Sequence, residues 1–367
     1  MSSLYIHIPF CHRKCFYCSF VVSIGQEEKQ TEYIKGLEKE SRSFDGMAFD
    51  TVYFGGGTPT LLDTETLKEL FGVLRRRFLI KEGAEVTIEA NPEGLSPDKL
   101  GLLLDCGVSR ISLGVQSLND RHLKYLGRNH NRELALKTYR DIVRAGFKNV
   151  NCDFMYAFPG QTMAELEEDA RAILELRSQH LSLYTLTIEE RSRFFTKGVS
   201  LEHQDYQARQ FAFITHLLGE YDFRQYEVSN FAREGFESRH NINYWTGGDY
   251  IGLGVGAHSH IKGRRFWNGS SLSSYLSAFQ NNRSPQEGEE VLTQEQQYIE
   301  RILFGLRMKE GINLEAVSKQ YHCALDEQRK EMIELFVNKG LLIYNNHNLT
   351  ATPEGVLVLD EICSKLI

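Results

Sequence analysis

"YIHIPFCHRKCFYCSF", Tyr5 to Phe20, holds Cys11, Cys15 and Cys18 directly after a short β-rich run and ahead of any helical pattern. A strand that hands functional residues to the loop at its C-terminal end is how parallel α/β folds build sites. Thiolates at Cys-x3-Cys-x2-Cys spacing can converge on one soft-metal centre, and a cubane iron–sulfur cluster suits them. Three ligands leave one iron open, so a substrate can bind it directly, which a closed four-cysteine cluster does not allow. The same thiols with His7 or His12 would also suit tetrahedral zinc, and spacing alone leaves both readings open.

Outward from this stretch, five more β-rich runs follow: "DTVYFGG" (50–56), "EVTIEAN" (85–91), "RISLGVQ" (110–116), "NVNCDFMYAF" (149–158) and "HLSLYTLTI" (180–188). The segments between them have helical period. Leu67, Leu70, Phe71 and Leu74 fall at i, i+3, i+4 and i+7, and "NRELALKTYRDIVRAG" ends on Gly146 as a helix C-cap would. The alternation predicts an α/β fold of six βα units reaching about residue 220, with parallel strands joined by helical crossovers. Rhythm does not separate an open doubly wound sheet from a full or partial barrel, and both put function at strand C-terminal ends.

Residues 223–263 are rich in Gly and aromatics and predict an α+β extension packed onto the repeat. From Thr293, three helical segments precede "LLIYNNHNLTATPEG" (341–355), two strand-like runs about an Asn-Asn-His-Asn turn, which together suggest a winged-helix-like unit. Its helices mix acidic and basic residues, which favours packing over nucleic-acid reading. The expected organisation is a core at 1–225, an extension at 226–290 and a C-terminal unit at 291–367.

With 367 residues, 41% of them hydrophobic, the chain can bury a sizeable core in about two domains. Its net charge of -7 provides no basic field for nucleic acid or anionic membrane. No apolar run approaches the ~20 residues of a membrane helix, and the N-terminus shows no targeting leader, so the expected location is the cytoplasm. Seven cysteines, an odd number, argue for reduced thiols. Cys106, Cys152, Cys323 and Cys363 lie in apolar or helical contexts and read as core residues.

The cysteine motif, with the aromatic Tyr17 before its last cysteine, resembles the hallmark of the radical S-adenosylmethionine superfamily. "GGGTPT" (55–60) follows the second strand and lacks the Gly-Lys-Ser/Thr ending of a phosphate loop. With "EANP" (89–92), "GVQS" (114–117), "GRNH" (127–130) and "DFMYAFPGQT" (153–162), it resembles the branch holding oxygen-independent coproporphyrinogen dehydrogenases and HemW-type heme chaperones. The resemblance implies an incomplete parallel (β/α)6 barrel with a [4Fe-4S] cluster on the three cysteines. The open iron would chelate the amino and carboxylate groups of S-adenosylmethionine. Tyr5, Tyr17, Gly56, Gly57, Thr58, Glu89, Gln116, Arg128 and Asp153 match the branch's S-adenosylmethionine positions. Taken singly, Glu89 could instead salt-bridge a helix, and Arg128 could pair with a substrate carboxylate or with Asp153.

Two departures choose within the branch. The dehydrogenases carry a further cysteine two residues after the triplet, where this chain has Phe20, and a longer segment ahead of the motif than the ten residues here. "HNINYW" (240–245) matches the His-Asn-x-x-Tyr-Trp motif of the chaperone group. An imidazole can ligate heme iron while Tyr244 and Trp245 cover porphyrin surface, so His240 is the expected heme ligand, with His258, His260 and His7 as alternatives. The resemblance therefore implies a heme chaperone with no assigned catalytic residue. It would pass heme to an acceptor such as a respiratory-chain hemoprotein and draw on an electron donor such as flavodoxin or ferredoxin. No nucleic acid is expected, and membrane contact only through an acceptor. The alternative is radical oxidative decarboxylation of coproporphyrinogen; a third reading is a nucleic-acid-modifying radical enzyme.

Overall fold

A computed structural model describes all 367 residues. Strands β1 (Ser2–Ile8), β2 (Ala48–Gly56), β3 (Leu79–Ala90), β4 (Arg110–Gln116), β5 (Val150–Tyr156) and β6 (His180–Thr185) pair in parallel and in chain order. A doubly wound sheet reverses direction at a switch point, whereas sequential neighbours throughout are the winding of a barrel. The helical crossovers are α1 (Gln30–Ser41), α2 (Thr64–Arg77), α3 (Pro97–Asp105), α4 (Asp120–Leu126), α5 (Arg132–Ala145) and α6 (Met163–Leu174). Local chemistry sets their ends. Asp63 caps α2 by accepting from Thr66 N, and α5 runs from an Asn131 cap to Gly146 at φ +112°. All seven residues of β4 are buried, as expected of a parallel strand covered on both faces.

The barrel does not close. The one-turn helix α7 (Arg193–Thr196) and the long helix α8 (Gln204–Glu220) lead to β7 (Arg224–Gln225) and β8 (Asn230–Ala232), which continue the sheet antiparallel beyond β6. After α9 (Arg239–Trp245), β9 (Asp249–Leu253) joins β1 in parallel. β10 (His258–Ile261), β11 (Arg264–Asn268) and β12 (Gln286–Val291) then extend that flank antiparallel, for twelve strands in the order β12-β11-β10-β9-β1-β2-β3-β4-β5-β6-β8-β7. The Gly- and aromatic-rich segment is thus hydrogen-bonded into the sheet on both flanks and is not packed onto it as a separate layer. The backbone edges of β1 and β6 need partners, and these strands supply them.

After α10 (Leu272–Gln280), the C-terminal unit comprises α11 (Gln294–Leu306), β13 (Ile312–Asn313), α12 (Leu314–Tyr321), α13 (Glu327–Asn338) and the hairpin β14 (Leu342–Asn345) and β15 (Asn348–Ala351). Asn346 at φ +49° and His347 at φ +63° form the mirror-type turn that joins twisted strands, and β13 completes a three-stranded wing. This unit has its own core, which includes Tyr298, Ile302, Phe336, Leu349 and Ile362. All seven cysteines are free. Cys152 is a core residue, but Cys106, Cys323 and Cys363 are only half-buried at the margins of their clusters, which corrects their reading as core. No helix is long and apolar enough to cross a membrane.

Candidate functional site

The cysteine loop leaves the C-terminal end of β1 and is held by backbone. Gly57 N donates to Ile8 O (2.8 Å), Thr58 N to Phe10 O (2.9 Å) and Ser23 N to Pro9 O (2.7 Å). The two glycines make this docking possible. Gly56 sits at φ +108°, and a Cβ there would lie 2.4 Å from the His7 ring. A Cβ on Gly57 would lie 2.7 Å from Phe10 O and 2.8 Å from Pro9 C. Gly57→Ala must therefore move backbone, and we expect a loss of about 1–3 kcal/mol with poorer iron retention. Denaturant melts and iron analysis measure it, with Gly101→Ala as control, because a Cβ there meets nothing within 4 Å.

Around the thiols lies a polar cradle. Cys11 Sγ is 3.5 Å from Thr58 Oγ1, and Arg128 Nη1 donates to Cys15 Sγ at 3.5 Å. Asn91 ties the two together: its Nδ2 donates to Thr58 Oγ1 (3.0 Å) and its Oδ1 accepts from Arg128 Nη2 (2.6 Å). Burial pushes the Cys11 thiol up to about 11 and also raises Cys18, so without a cationic partner these thiols stay protonated. Three reduced thiols beside a guanidinium and a hydroxyl are donor chemistry that fits an iron–sulfur cluster. The histidines of the zinc alternative are engaged elsewhere: His7 bonds Tyr5 Oη (3.0 Å) and Val21 O (2.8 Å), and His12 faces Glu27 at 3.8 Å.

The strand ends behind the loop deliver the other polar groups. Glu89, at the end of β3, accepts from Tyr53 Oη (2.8 Å) and Gly56 N (3.2 Å) and salt-bridges no helix. Asp153 accepts from Asn151 Nδ2 (2.8 Å), and burial raises it. Gln116 closes β4 in the left-handed region at φ +66°, a conformation held by its surroundings. Arg128 pairs with no carboxylate: besides Cys15 and Asn91 it donates to Gly114 O (2.7 Å), and its Nε is buried without an acceptor. That orphaned donor fits a carboxylate-bearing ligand lying against the cluster loop. Tyr17 is raised strongly, by burial first, in a setting it shares with Arg128, Cys15 and Asp153.

Burial first, and then the charge of Asp153, push Glu89 up to about 7. The folded state therefore holds this proton more tightly than the unfolded chain does. The stability tied to it is fully present below the ordinary carboxylate range and is lost as pH rises through about 7. Glu89→Gln should match the parent at pH ~4.5 and exceed it by up to about 3 kcal/mol at pH ~8. Urea melts across that range test the sign. A ligand ammonium set beside Glu89 would lower its pKa and release a proton near neutrality, readable as a buffer-dependent binding enthalpy.

Next to this region opens a cavity of about 560 Å³, within the usual size of cofactor pockets. Tyr5, Gly56 and Glu89 line it on the barrel side, Tyr244 and Trp245 on the α9 side, and Arg301, Phe304 and Tyr321 on the C-terminal unit. Phe20, 65% exposed, stands in the wall. His240 does not line it. His240 is 1% exposed, its Nδ1 bonds Thr51 Oγ1 (2.9 Å), its Nε2 bonds Tyr244 Oη (2.9 Å), and burial lowers its pKa to about 3. This corrects the expectation of His240 as iron ligand: both ring nitrogens are engaged, and the ring supports Tyr244 from below. His258 and His260 do line the cavity. The His258 ring bonds no side chain or backbone group and stacks on Trp267, centroids 5.8 Å apart.

Residues 5–173 match the model of the Radical SAM superfamily, and residues 292–358 match that of the HemN C-terminal domain. Over 370 residues the chain is 34% identical to the heme chaperone HemW of Lactococcus lactis, covering 100% of this chain and 97% of the relative. The chain belongs to the HemW family of radical SAM proteins. It is 33% identical to the heme chaperone HemW of Bacillus subtilis, covering 99% of this chain and 98% of that one. The coproporphyrinogen III oxidase HemN of Escherichia coli superposes with a TM-score of 0.89 at 22% identity, over 100% of this chain and 89% of HemN. That likeness is one of fold.

In this HemW-family chain, sequence reasoning missed Asn91, Tyr53 and Arg301. Asn91 had a signal, as the polar residue following a strand inside "EANP". Tyr53 alternates with core residues along β2 and looks like any aromatic, until its hydroxyl is seen on Glu89.

Proposed function

We propose that the protein is a heme chaperone that carries a [4Fe-4S] cluster and S-adenosylmethionine and delivers heme to an acceptor protein. What carries this reading is the "HNINYW" motif in a chain collinear with heme chaperones named HemW, with Tyr244 and Trp245 lining a cavity of about 560 Å³. Cys11, Cys15 and Cys18 would hold the cluster, which when bound supplies an open iron for the amino and carboxylate groups of S-adenosylmethionine. Arg128 would offer its orphaned Nε to a ligand carboxylate and Glu89 its carboxylate to an ammonium. Tyr5, Tyr17, Gly56, Gly57, Thr58, Gln116 and Asp153 complete the surround. Heme would lie against Tyr244 and Trp245, with the free imidazole of His258 available to iron; burial lowers the His258 pKa, which favours the neutral ring that ligation uses. The protein would act in the cytoplasm, receive electrons from a flavodoxin- or ferredoxin-like donor, and meet a membrane only through its acceptor.

The competing reading is decarboxylation of coproporphyrinogen. Phe20, in the cavity wall where the dehydrogenases are expected to carry a cysteine, weighs against it. Iron, sulfide and heme measured on one anaerobic preparation test the proposal. The expected result is cluster and heme together. In a reduced incubation with coproporphyrinogen, no protoporphyrinogen should form. Multiple turnovers to that product would reverse the choice, and a protein that binds no heme at all would end the chaperone reading.

A further inference from the structure

Two arginines line the cavity, and their circumstances differ. Arg265 is neutralised by Glu300 (2.5 Å) and Glu290 (3.3 Å). Arg301, on α11 of the C-terminal unit, has no carboxylate within 4.0 Å. One of its nitrogens, Nη1, is anchored on Trp245 O at 3.1 Å. Its stem lies over the turn after α9, where a Cβ on Gly247 would meet Arg301 Cδ at 3.0 Å, so the guanidinium is held in place by the wall it crosses. Burial lowers its pKa with only Tyr321 opposing, as expected of a partly buried cation that has no counterion. Beside it in the same wall, Trp245 keeps a buried indole N–H without an acceptor. On this wall a guanidinium without a carboxylate partner and an indole N–H without an acceptor call for an occupant that brings acceptors and negative charge; the one cavity carboxylate without a cation, Glu89, lies on the barrel side and is pushed up to about 7.

We propose that Arg301 binds a carboxylate of the cavity's occupant, a propionate of the tetrapyrrole, and so makes the C-terminal unit a determinant of ligand specificity. This rests on the heme reading above. The geometry favours it because Arg301 is fixed to the backbone of Trp245, the residue set against the porphyrin face, so one element positions both the apolar and the ionic contact. A guanidinium meets a carboxylate through paired N–H donors, and Lys reproduces the charge without that fork.

Equilibrium titration of the full-length protein with heme and with heme dimethyl ester, in the same detergent and without S-adenosylmethionine, tests this. The parent should bind the free acid on the order of 10- to 100-fold tighter than the ester. Arg301→Gln should weaken heme binding by a similar factor and erase the preference, while Arg301→Lys should restore part of it. Thermal melts of each variant show that the fold is retained, and the ester comparison needs no variant at all. If the parent binds acid and ester equally, Arg301 is not the partner and the chaperone reading stands. If the parent binds neither, the chaperone reading itself fails. If a separate titration with S-adenosylmethionine shows weaker binding to Arg301→Gln while heme affinity is unchanged, the carboxylate belongs to S-adenosylmethionine and the proposal is overturned.

Discussion

The variant Cys11→Ala/Cys15→Ala/Cys18→Ala is expected to leave anaerobic reconstitution colourless, without iron or sulfide, where the parent takes up about four of each. The effect is all-or-none because no other group near the loop can substitute. His7 is committed to Tyr5 and Val21, and the other four cysteines lie at or near the cores, away from this loop. Loss of the thiols should leave the loop standing, since its anchors are backbone: Gly57 N to Ile8 O, Thr58 N to Phe10 O, Phe16 N to Leu126 O and Phe194 N to Phe16 O. The apo-parent and the triple variant should therefore melt together, and their heme affinities should agree. Stoichiometric zinc without sulfide in the parent would falsify the cluster assignment. An electron paramagnetic spectrum of the reduced parent unmoved by saturating S-adenosylmethionine would deny the open iron. Asn91→Ala is a milder test, removing the bridge between Thr58 and Arg128 while keeping every thiol.

Trp245→Ala should have the largest effect on heme. While the backbone carbonyl of Trp245, which the substitution keeps, holds Arg301, the indole is packed edge-on against Phe304 at 6.1 Å and lies under Arg307 at 4.7 Å. Deleting it removes porphyrin-facing surface and loosens the joint between α9 and α11, a loss of about 3–5 kcal/mol if the ring is as enclosed in the complex as a core aromatic. Heme titration paired with melts divides that sum between binding and folding. Two histidine variants separate ligation from support. His258→Ala should change the heme absorption spectrum with little change in melting. His240→Ala should lower the melting point, because it removes the ring's buried hydrogen bonds to the Thr51 and Tyr244 hydroxyls. A His258→Ala protein with unaltered spectrum, beside a His240→Ala protein that melts normally and binds no heme, would return the ligand role to His240.

The parts of the site legible in the chain are those where chemistry is local. Three thiols within one loop, a glycine pair after the second strand, and polar residues at the ends of apolar runs need only spacing and strand period to be noticed. The same locality explains the winged unit: helix period, an Asn-rich turn and flanking β-rich runs are all short-range signals. His240 shows where this stops. Beside Tyr244 and Trp245 in one motif it reads as a third cavity residue, yet a helix sends i and i+4 to one face, so the buried His240 ring lies behind Tyr244 and bonds its hydroxyl, and only Tyr244 and Trp245 reach the cavity.

By itself the sequence determined the βα repeat, the placing of the cysteines after the first strand, and the separate C-terminal unit, because periodicity, caps and turns act over a few residues. Only the tertiary structure decided that the strands wind in sequential order, that residues 249–291 extend the sheet from the flank of β1, and that Arg301 reaches a cavity shared with Glu89. These depend on which backbone edges find partners and which buried charges go without, and such pairings join residues hundreds of positions apart. No local pattern encodes them; they exist only once the chain has packed.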